Sequence, residues 1–310
     1  LILSPGASPV VPPIPGIERA LTLRTVEDVE KIADRVNAKP KSAVIIGGGF
    51  IGVEIAENLV HKGIPTTVVE AAPQVLAPLD PEMATLVVKE MRKHGVKLHL
   101  GASAKEVTST SVLLSDGTPL DAELVIMAIG VRPDTGLAKS AGLTIGARGG
   151  IEVDDFNRTS NHDIYAVGDA AEKTSLLTGA NQMIWLANLA NRHGRLVADV
   201  ITGEKVSAKK AIGTGIIGAF GMAVAVTGLT ETAAKANGIK HKVIHLHPGS
   251  HAGYYPGAER VSLKLLFDPE SGKLLGAQGV GFDGVDKRID VIATAIFAGL
   301  TVDDLMDLEL

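Results

Sequence analysis

Residues 42–70 read SAVIIGGGFIGVEIAENLVHKGIPTTVVE, and the order of residue types in this stretch decides the fold. The apolar, largely β-branched run 43–46 predicts a strand that is buried on both faces. Apolar side chains then recur at helical spacing over residues 51–59, and Gly63 follows at a position where helices commonly end. Residues 66–70 predict a second buried strand. The stretch therefore reads as strand, glycine turn, helix and strand.

The glycine turn at residues 47–52 has the pattern G-x-G-x-x-G. In this pattern Gly47 permits a tight turn, Gly49 lets a pyrophosphate approach the main chain, and Gly52 lets the helix pack closely on the strand. The helix N-terminus offers unpaired N–H groups to the phosphates. Glu70 can accept hydrogen bonds from ribose hydroxyls and repels a 2′-phosphate, which favours NADH over NADPH. The alternative is a glycine turn that binds no ligand.

Composition limits the classes of protein that fit. The chain has 310 residues, 45% of them apolar, which suggests two domains or three. A net charge of -5 gives no support for binding nucleic acid or an anionic membrane. No apolar run approaches the ~20 residues of a membrane span, and no signal peptide is visible, so a cytoplasmic protein is expected. Cysteine is absent, which excludes disulfides and thiol chemistry by this polypeptide alone.

The opening residues, Leu1-Ile2-Leu3, form an apolar strand-like run with no initiator Met. We therefore expect the chain to be a fragment of a longer protein. Strands and helices alternate over residues 41–130, which predicts one compact nucleotide-binding domain of the α/β class. Within it, Asp80 is predicted to cap a helix that has Pro81 at its first position.

The second half of the chain changes character. Residues 151–154 and 164–167 are predicted strands, and Asp169 follows the second of them, where ligands meet the edge of an open α/β sheet. Three antiparallel strands followed by helices then predict an α+β domain, with a boundary near residues 203–211.

Several further motifs occur along the chain in one order. They are Ser4-Pro5-Gly6-Ala7, Gly49-Phe50-Ile51-Gly52-Val53-Glu54, Ala128-Ile129-Gly130-Val131-Arg132-Pro133, Ile164-Tyr165-Ala166-Val167-Gly168-Asp169-Ala170 and His251-Ala252-Gly253-Tyr254-Tyr255-Pro256-Gly257. On these motifs the chain resembles the flavin- and nicotinamide-dependent disulfide oxidoreductases over nearly its whole length. It is most similar to the coenzyme A disulfide reductases and to their NADH oxidase and persulfide reductase relatives.

The resemblance implies a Rossmann-like NAD(P)H-binding domain inserted in a split FAD-binding domain, followed by an α+β dimerisation domain. The implied boundaries are 1–22 for the end of the first FAD segment, 23–146 for the NAD(P)H domain, 147–210 for the second FAD segment and 211–310 for the dimerisation domain. A homodimer through the last domain is therefore expected.

The resemblance also assigns roles around NADH. Phe50 resembles the aromatic gate that lies over the flavin, its alternative being a core aromatic under the helix. Ile51 belongs to the same phosphate-binding turn. Glu54 resembles the carboxylate that approaches the nicotinamide carboxamide; a carboxylate in the first turn of a helix also stabilises the helix dipole. Gly130 resembles the glycine on the adenosine side of NADH, its alternative being a strand-end turn.

The FAD residues implied by the resemblance are Gly168, Asp169 and Ala187. Asp169 would bond a ribityl hydroxyl, and its alternative role is a cap for the residues that follow. Ala187 lies in the segment that meets the flavin ring at a helix start. The chain departs from its relatives here, since they usually have Gly-Pro in place of Asn188-Leu189 and Pro in place of Trp185.

The implied activity is transfer of hydride from NADH through FAD to coenzyme A disulfide or a persulfide, with Tyr255 reaching across the dimer toward the reactive sulfur. The family's reactive cysteine is missing, so this polypeptide alone is expected to bind NADH, to bind FAD weakly and to lack disulfide reductase activity. Two alternatives stay open. One is an NADH oxidase that reduces dioxygen, and the other is a non-catalytic module that binds nucleotide and dimerises.

Overall fold

The computed structural model describes residues 1–309. The chain begins with β1 (Ile2–Leu3), β2 (Ala7–Pro9), a 3₁₀ turn (Ile17–Arg19) and α1 (Val26–Asn37). Thr25 caps α1, because its hydroxyl accepts from the N–H of Asp28 while the Asp28 carboxylate accepts from the N–H of Thr25.

The nucleotide region follows in chain order. Its elements are β3 (Ala43–Ile46), α2 (Phe50–His61), β4 (Thr66–Glu70), α3 (Pro81–Lys93), β5 (Lys97–Leu100), β6 (Ala104–Val107), β7 (Ser111–Leu114), β8 (Pro119–Asp121), β9 (Leu124–Met127), β10 (Val131–Pro133) and α4 (Gly136–Ser140). Strands β5, β4, β3 and β9 form a parallel sheet in that order, and β6, β7 and β8 form an antiparallel one. All four residues of β3 are buried, as expected for the central strand of a sheet covered on both faces.

The next region contains β11 (Tyr165–Ala166), a 3₁₀ turn (Gly168–Ala170), β12 (Lys173–Thr174), β13 (Asn181–Gln182) and α5 (Ala187–Ile201). Strand β1 pairs in parallel with β11, and β2 pairs antiparallel with β10, so the chain start joins this region to the nucleotide region. The strand predicted at residues 151–154 is wrong. Ile151 makes isolated bridges there, and the Asp154 carboxylate accepts from the N–H groups of Phe156 and Arg158, which turns the chain away.

The C-terminal region is built on one antiparallel sheet. Its elements are β14 (Gly215–Ala219), β15 (Met222–Gly228), α6 (Glu231–Ala236), β16 (Lys242–Leu246), β17 (Ser262–Phe267), β18 (Leu274–Gly281), α7 (Val285–Ala298) and α8 (Val302–Met306). The strand order is β14-β15-β18-β17-β16. The three predicted antiparallel strands are confirmed as β16, β17 and β18, and β14 and β15 extend their sheet.

One apolar core joins the C-terminal sheet to the nucleotide region. Its members come from α2, α3 and β3 on one side and from β14, β15 and β18 on the other, for example Leu59 and Met83 beside Ile217 and Val280. A second core lies between α7 and the opposite face of the sheet. The nucleotide region therefore rests on the C-terminal sheet through continuous buried apolar contact.

Asp80 is the residue before α3 and has the extended backbone of an N-cap, with Pro81 at the start of the helix as expected. Its side chain, however, makes no capping bond to α3. The carboxylate is directed to the C-terminal region, where it accepts hydrogen bonds from the start of α6. The predicted cap is therefore confirmed by the backbone and wrong for the side chain.

Candidate functional site

Two glycines of the turn between β3 and α2 are required by the protein's own packing. Gly47 has φ +114, and a Cβ there would lie 2.3 Å from the carbonyl oxygen of Ala128. A Cβ on Gly52 would lie 2.0 Å from the carbonyl oxygen of Gly47. Both distances are far below van der Waals contact. These two glycines therefore let α2 start directly above the sheet.

Gly49 is different, because nothing in the protein needs a glycine there. Its φ is -75, and no atom lies within 4 Å of where its Cβ would be. Gly49 is the N-cap of α2 and supplies no side chain to bond the N–H groups of the first turn. The space in front of it is open, and the N–H groups beside it suit an anion. This geometry fits the diphosphate of a dinucleotide.

Glu70 ends β4 beside the glycine turn. One carboxylate oxygen accepts from the N–H of Gly48 at 2.6 Å, and the other accepts from the N–H of Ala72 at 2.7 Å. Each oxygen keeps a further lone pair, so the half-buried carboxylate can still accept from a ribose. The structure thus brings the predicted acid and the predicted glycine turn together.

The remaining predicted NADH residues surround this turn. Phe50 is the first residue of α2 and packs, partly buried, on the apolar core. Gly130 has φ +118, faces open space and accepts the N–H of Val10 at 2.9 Å through its carbonyl. Ile51 lies between the last two glycines of the pattern, in the first turn of α2. These positions are compatible with the predicted roles, which stay predictions.

Glu54 does not lie in the first turn of α2, and that expectation is wrong. The first turn holds no acidic residue, and Glu54 begins the second turn. Loss of hydration and, second, repulsion from Glu57 raise the pKa of Glu54 above its ordinary value. The helix dipole therefore gives this carboxylate little stabilisation, and its contact with a carboxamide stays a prediction.

A second candidate site lies on the 3₁₀ turn that follows β11. Gly168 has φ +73, and the Ala190 side chain of α5 is 4.0 Å from where a Gly168 Cβ would be. The Asp169 carboxylate is half-buried and makes no hydrogen bond to any other part of residues 1–309. Ala187 is the first residue of α5, whose N-cap, Leu186, provides no side-chain bond. An acceptor without a protein partner beside an uncapped helix start fits a hydroxylated, anionic ligand such as FAD.

Lys173 supports this turn, and sequence reasoning missed it. Its ammonium group is buried and donates to the carbonyl oxygens of Gly168, the first residue of the turn, and Ala171, the residue just after it. Burial lowers the pKa of Lys173 to about 8, although the charge of Asp169 opposes the shift. No local signal marks it, since Lys173 lies among other polar residues, including Asp169, Glu172 and Thr174.

His193 and Asn157 form a buried pair beside the turn. The Nδ2 of Asn157 donates to the carbonyl of Ala166 and lies 3.3 Å from Nδ1 of His193. Burial, followed by the charges of Lys173 and Arg192, lowers the pKa of His193 to about 4. The imidazole is therefore neutral near pH 7, which means that it contributes no charge to the region around Asp169.

Tyr255 lies in the loop between β16 and β17. Its side chain is 66% exposed and makes an edge contact with His251 at 5.6 Å between ring centroids. Arg288 of α7 donates to the carbonyls of Gly249 and Ser250 and so anchors the start of this loop. Among the contacts of residues 1–309, none joins Tyr255 to the glycine turn or to Asp169. Its predicted role needs a second copy of the chain.

No helix within residues 1–309 has both the length and the apolar character required to cross a bilayer.

Comparison with known proteins agrees with this architecture. A family model described as pyridine nucleotide-disulphide oxidoreductase matches residues 1–194, and the model of the corresponding dimerisation domain matches residues 217–308. The NADH oxidase of Methanocaldococcus jannaschii is 34% identical to the chain over 316 residues, covering 100% of this chain and 70% of the relative.

Two solved structures are especially similar. Reduced CoADR-RHD from Bacillus anthracis has 48% identity and a TM-score of 0.98, covering 100% of this chain and 57% of that chain. A NAD-dependent persulfide reductase from A. fulgidus has 38% identity and a TM-score of 0.97, covering 100% of this chain and 58% of that chain. The chain thus spans less than two thirds of these two structures. The fold class and the family resemblance expected from the sequence are confirmed.

Proposed function

Since the chain belongs to the pyridine nucleotide-disulphide oxidoreductase family, we propose that it carries the NADH site and part of the FAD site of an enzyme that reduces a small disulfide or persulfide. The observation that carries the proposal is the glycine turn. Gly47 and Gly52 are explained by the protein's own packing, whereas Gly49 leaves an open approach to the N-terminus of α2. A carboxylate held beside that turn completes a dinucleotide site.

At the NADH site each residue has a distinct task. The N–H groups that begin α2 bind the diphosphate, and Gly49 keeps the approach free of side chains. Glu70 accepts the ribose hydroxyls and disfavours a 2′-phosphate, so NADH is preferred to NADPH. Phe50 covers the flavin side until nicotinamide enters, and Glu54 orients the carboxamide. Gly130 borders the adenosine half.

At the FAD site Asp169 accepts a ribityl hydroxyl. Gly168 lets the turn form at a positive φ, and Lys173 holds the turn by its two carbonyls. Ala187 puts the uncapped start of α5 beside the flavin ring, where its N–H groups favour negative charge. FAD, when bound, supplies the two-electron step between the nicotinamide and the acceptor.

The acceptor in this proposal is a low-molecular-weight disulfide, such as coenzyme A disulfide, or a persulfide. For a disulfide the overall balance is NADH plus RSSR plus one proton giving NAD⁺ plus two thiols. This chain contains no cysteine, so the thiolates of the reaction come from outside this sequence. Tyr255 is exposed in its loop. In the dimer its phenolic O–H donates a hydrogen bond to a sulfur that lies against it.

The proposed domain limits are those expected from the sequence: 1–22, 23–146, 147–210 and 211–310. The last of these contains the dimerisation match at residues 217–308, which supports a homodimer through the C-terminal region. Sedimentation of the purified chain tests this arrangement, and a monomer at micromolar concentration would contradict it.

The central experiment is a calorimetric titration of the chain with NADH and, separately, with NADPH. We expect NADH to bind and NADPH to bind at least about tenfold more weakly, because Glu70 would face the extra phosphate. No binding of either nucleotide, with the fold intact by circular dichroism, would refute the proposed site.

A second candidate function is reduction of dioxygen, and the similarity to an NADH oxidase favours it. Its balance is two NADH, one O₂ and two protons giving two NAD⁺ and two water molecules. Parallel assays of NADH consumption with FAD present, using coenzyme A disulfide, a persulfide or oxygen, separate the two functions. Nucleotide binding and dimerisation without turnover of any acceptor would favour a non-catalytic module.

A further inference from the structure

Lys264 is completely buried between the nucleotide region and the C-terminal sheet. It lies on β17, in the middle of the apolar run 262–267, and its side chain is 0% exposed. Its ammonium group bonds the carboxylates of Asp80 at 3.0 Å, Glu231 at 2.7 Å and Glu82. We call Lys264 with these three acids the Lys264 cluster. The three carboxylates converge within 4.8 Å of one another, and the ammonium group lies among them.

Asp80 belongs to the Lys264 cluster and ends the loop between β4 and α3. This loop lies next to the glycine turn. The Asp80 carboxylate, 1% exposed, accepts from the N–H groups of Glu231 and Thr232 at 3.0 Å and from the Thr232 hydroxyl at 2.8 Å. Its own N–H donates to Gln278 of β18 at 2.7 Å. A residue of the nucleotide region thus caps α6 and pairs with two strands of the C-terminal sheet.

The segment between Glu70 and Asp80 is fixed at both ends, and we call residues 71–79 the strap. Near its middle, Leu76 is 0% exposed and has φ +51, a left-handed conformation that a leucine rarely adopts. Its N–H donates to the carbonyl of Gly48 at 2.8 Å. The side chain of Val75 comes within 3.1 Å of where a Gly48 Cβ would be.

The strained conformation of Leu76 persists because its surroundings hold it. Glu70, just before the strap, and Leu76, within it, bind the two main-chain groups of Gly48. At the other end, Asp80 binds the C-terminal region through the Lys264 cluster. The N–H of Leu79 donates to the carbonyl of Leu76 at 2.8 Å, so Leu76 is bonded to the residue next to Asp80.

We propose that Lys264 and Asp80 are positioning residues for the NADH site, acting through the strap on Gly48. This inference rests on the proposed function where it concerns NADH, but the mechanical link between the Lys264 cluster and the strap is independent of it. The C-terminal region then sets the affinity of a nucleotide site that lies in another domain of the chain. The link passes through residues that touch one another at every step.

The test compares Lys264→Met with Lys89→Met; Lys89 is an exposed residue of α3 that makes no ion pair within residues 1–309. Hydrogen exchange measured without nucleotide should rise in the strap and at the start of α6 in Lys264→Met. Amides of α7, which packs on the far face of the sheet, should keep their native exchange. NADH should bind at least about tenfold more weakly, and Lys89→Met should stay within about twofold of the native chain.

Native exchange in the strap together with native NADH affinity in a folded Lys264→Met chain would overturn the proposal. Equal acceleration of exchange in every element would also overturn it, because that result describes global destabilisation. If native chain fails to bind NADH while the strap still loosens in Lys264→Met, the proposed function fails and the mechanical link stands.

A milder variant covers the case in which Lys264→Met does not fold. The Glu82 side chain is 46% exposed, so Glu82→Gln weakens the Lys264 cluster without leaving an isolated buried charge. We expect exchange in the strap to rise and NADH affinity to fall about two- to threefold. An unchanged strap and unchanged affinity in this folded variant would refute the proposal.

Discussion

Glu70 and Asp80 are ten positions apart and do similar chemistry with different consequences. Each carboxylate accepts from two main-chain N–H groups, Glu70 from Gly48 and Ala72, Asp80 from Glu231 and Thr232. Glu70 is half-buried and keeps lone pairs for a ligand. Asp80 is fully buried and uses its remaining capacity on Lys264 and Gln278.

The difference between these two acids is one of burial and pairing. Burial alone would raise the pKa of Asp80, but the N–H groups of Thr232 and Glu231, with Lys264 and Gln278, hold that pKa well below its usual range. A carboxylate that is satisfied in this way can only hold structure together. The same group at a partly open edge is available to a substrate. Four predictions test the contrast between residues that hold the structure together and residues that are available to a ligand. They run from the largest expected effect to the smallest.

The first compares two glycines of the same turn. Gly52→Ala puts a Cβ within 2.0 Å of the Gly47 carbonyl, so we expect a loss of about 4 kcal/mol in the free energy of unfolding and no measurable NADH binding. Gly49→Ala meets no atom within 4 Å, and it should keep native stability within about 1 kcal/mol while weakening NADH binding. Urea denaturation and calorimetric titration measure both effects. Equal losses of stability in the two variants would show that Gly49 is also a packing residue.

The second prediction compares the acids themselves. Asp80→Asn removes a charge that compensates buried Lys264 and puts an amide group against N–H donors, so we expect a loss of about 3 kcal/mol in the free energy of unfolding. Glu70→Gln, at a half-buried position, should cost about 1 kcal/mol. Urea denaturation of the two variants gives the comparison. The contrast fails if Glu70→Gln is the more damaging change.

The third prediction concerns pH. Burial lowers the pKa of His193 from 6.5 in the unfolded chain to about 4 in the folded chain. Between these pH values the unfolded chain binds a proton that the folded chain does not. The free energy of unfolding therefore decreases as the pH falls from 6.5 to 4, by up to about 3 kcal/mol. The acids of the Lys264 cluster have lowered pKa values, so their stabilisation is present above about pH 4 and is lost below it.

Thermal unfolding across this pH range should therefore show two stages in the native chain. His193→Gln should remove the first stage, between pH 6.5 and 4, and leave the second. An unchanged slope between pH 6.5 and 4 in His193→Gln would assign the first stage to other groups.

The fourth prediction is the smallest in free energy and concerns the choice of nucleotide. Glu70→Gln removes the charge that disfavours a 2′-phosphate, so the ratio of NADPH to NADH dissociation constants should fall about fivefold, which corresponds to about 1 kcal/mol. Asp80→Asn should leave this ratio unchanged, since Asp80 faces no ligand. Titration of both variants with both nucleotides gives the ratios, and a shift in Asp80→Asn would mean that the two acids are less distinct than their burial suggests.

The same contrast explains what could be predicted from the sequence. The glycine turn and Glu70 lie within one stretch of 29 residues, and their geometry follows from a local strand-turn-helix-strand pattern. The Lys264 cluster joins Asp80 to Glu231 and Lys264, which are at least 151 positions away, and no local pattern indicates which of the chain's acids meet Lys264. A lysine inside the apolar run of β17 was the available signal.

The wrong predictions have similar causes. Residues 151–154 have the composition of a strand, but side-chain bonds from Asp154 to the main chain compete with strand pairing. Asp80 has the local context of a helix cap, but a second helix start in another region takes its carboxylate. In both places a carboxylate accepts hydrogen bonds from main-chain N–H groups that do not belong to the predicted element.

The shared apolar core between α2, α3 and the C-terminal sheet has a practical consequence for anyone who wishes to work with a smaller piece. Cutting the chain between the two regions would expose an apolar surface of the nucleotide region, including Leu59 and Met83, to solvent. An excised nucleotide region should therefore self-associate on sedimentation rather than run as a well-behaved monomer. Useful truncations of this molecule keep both regions.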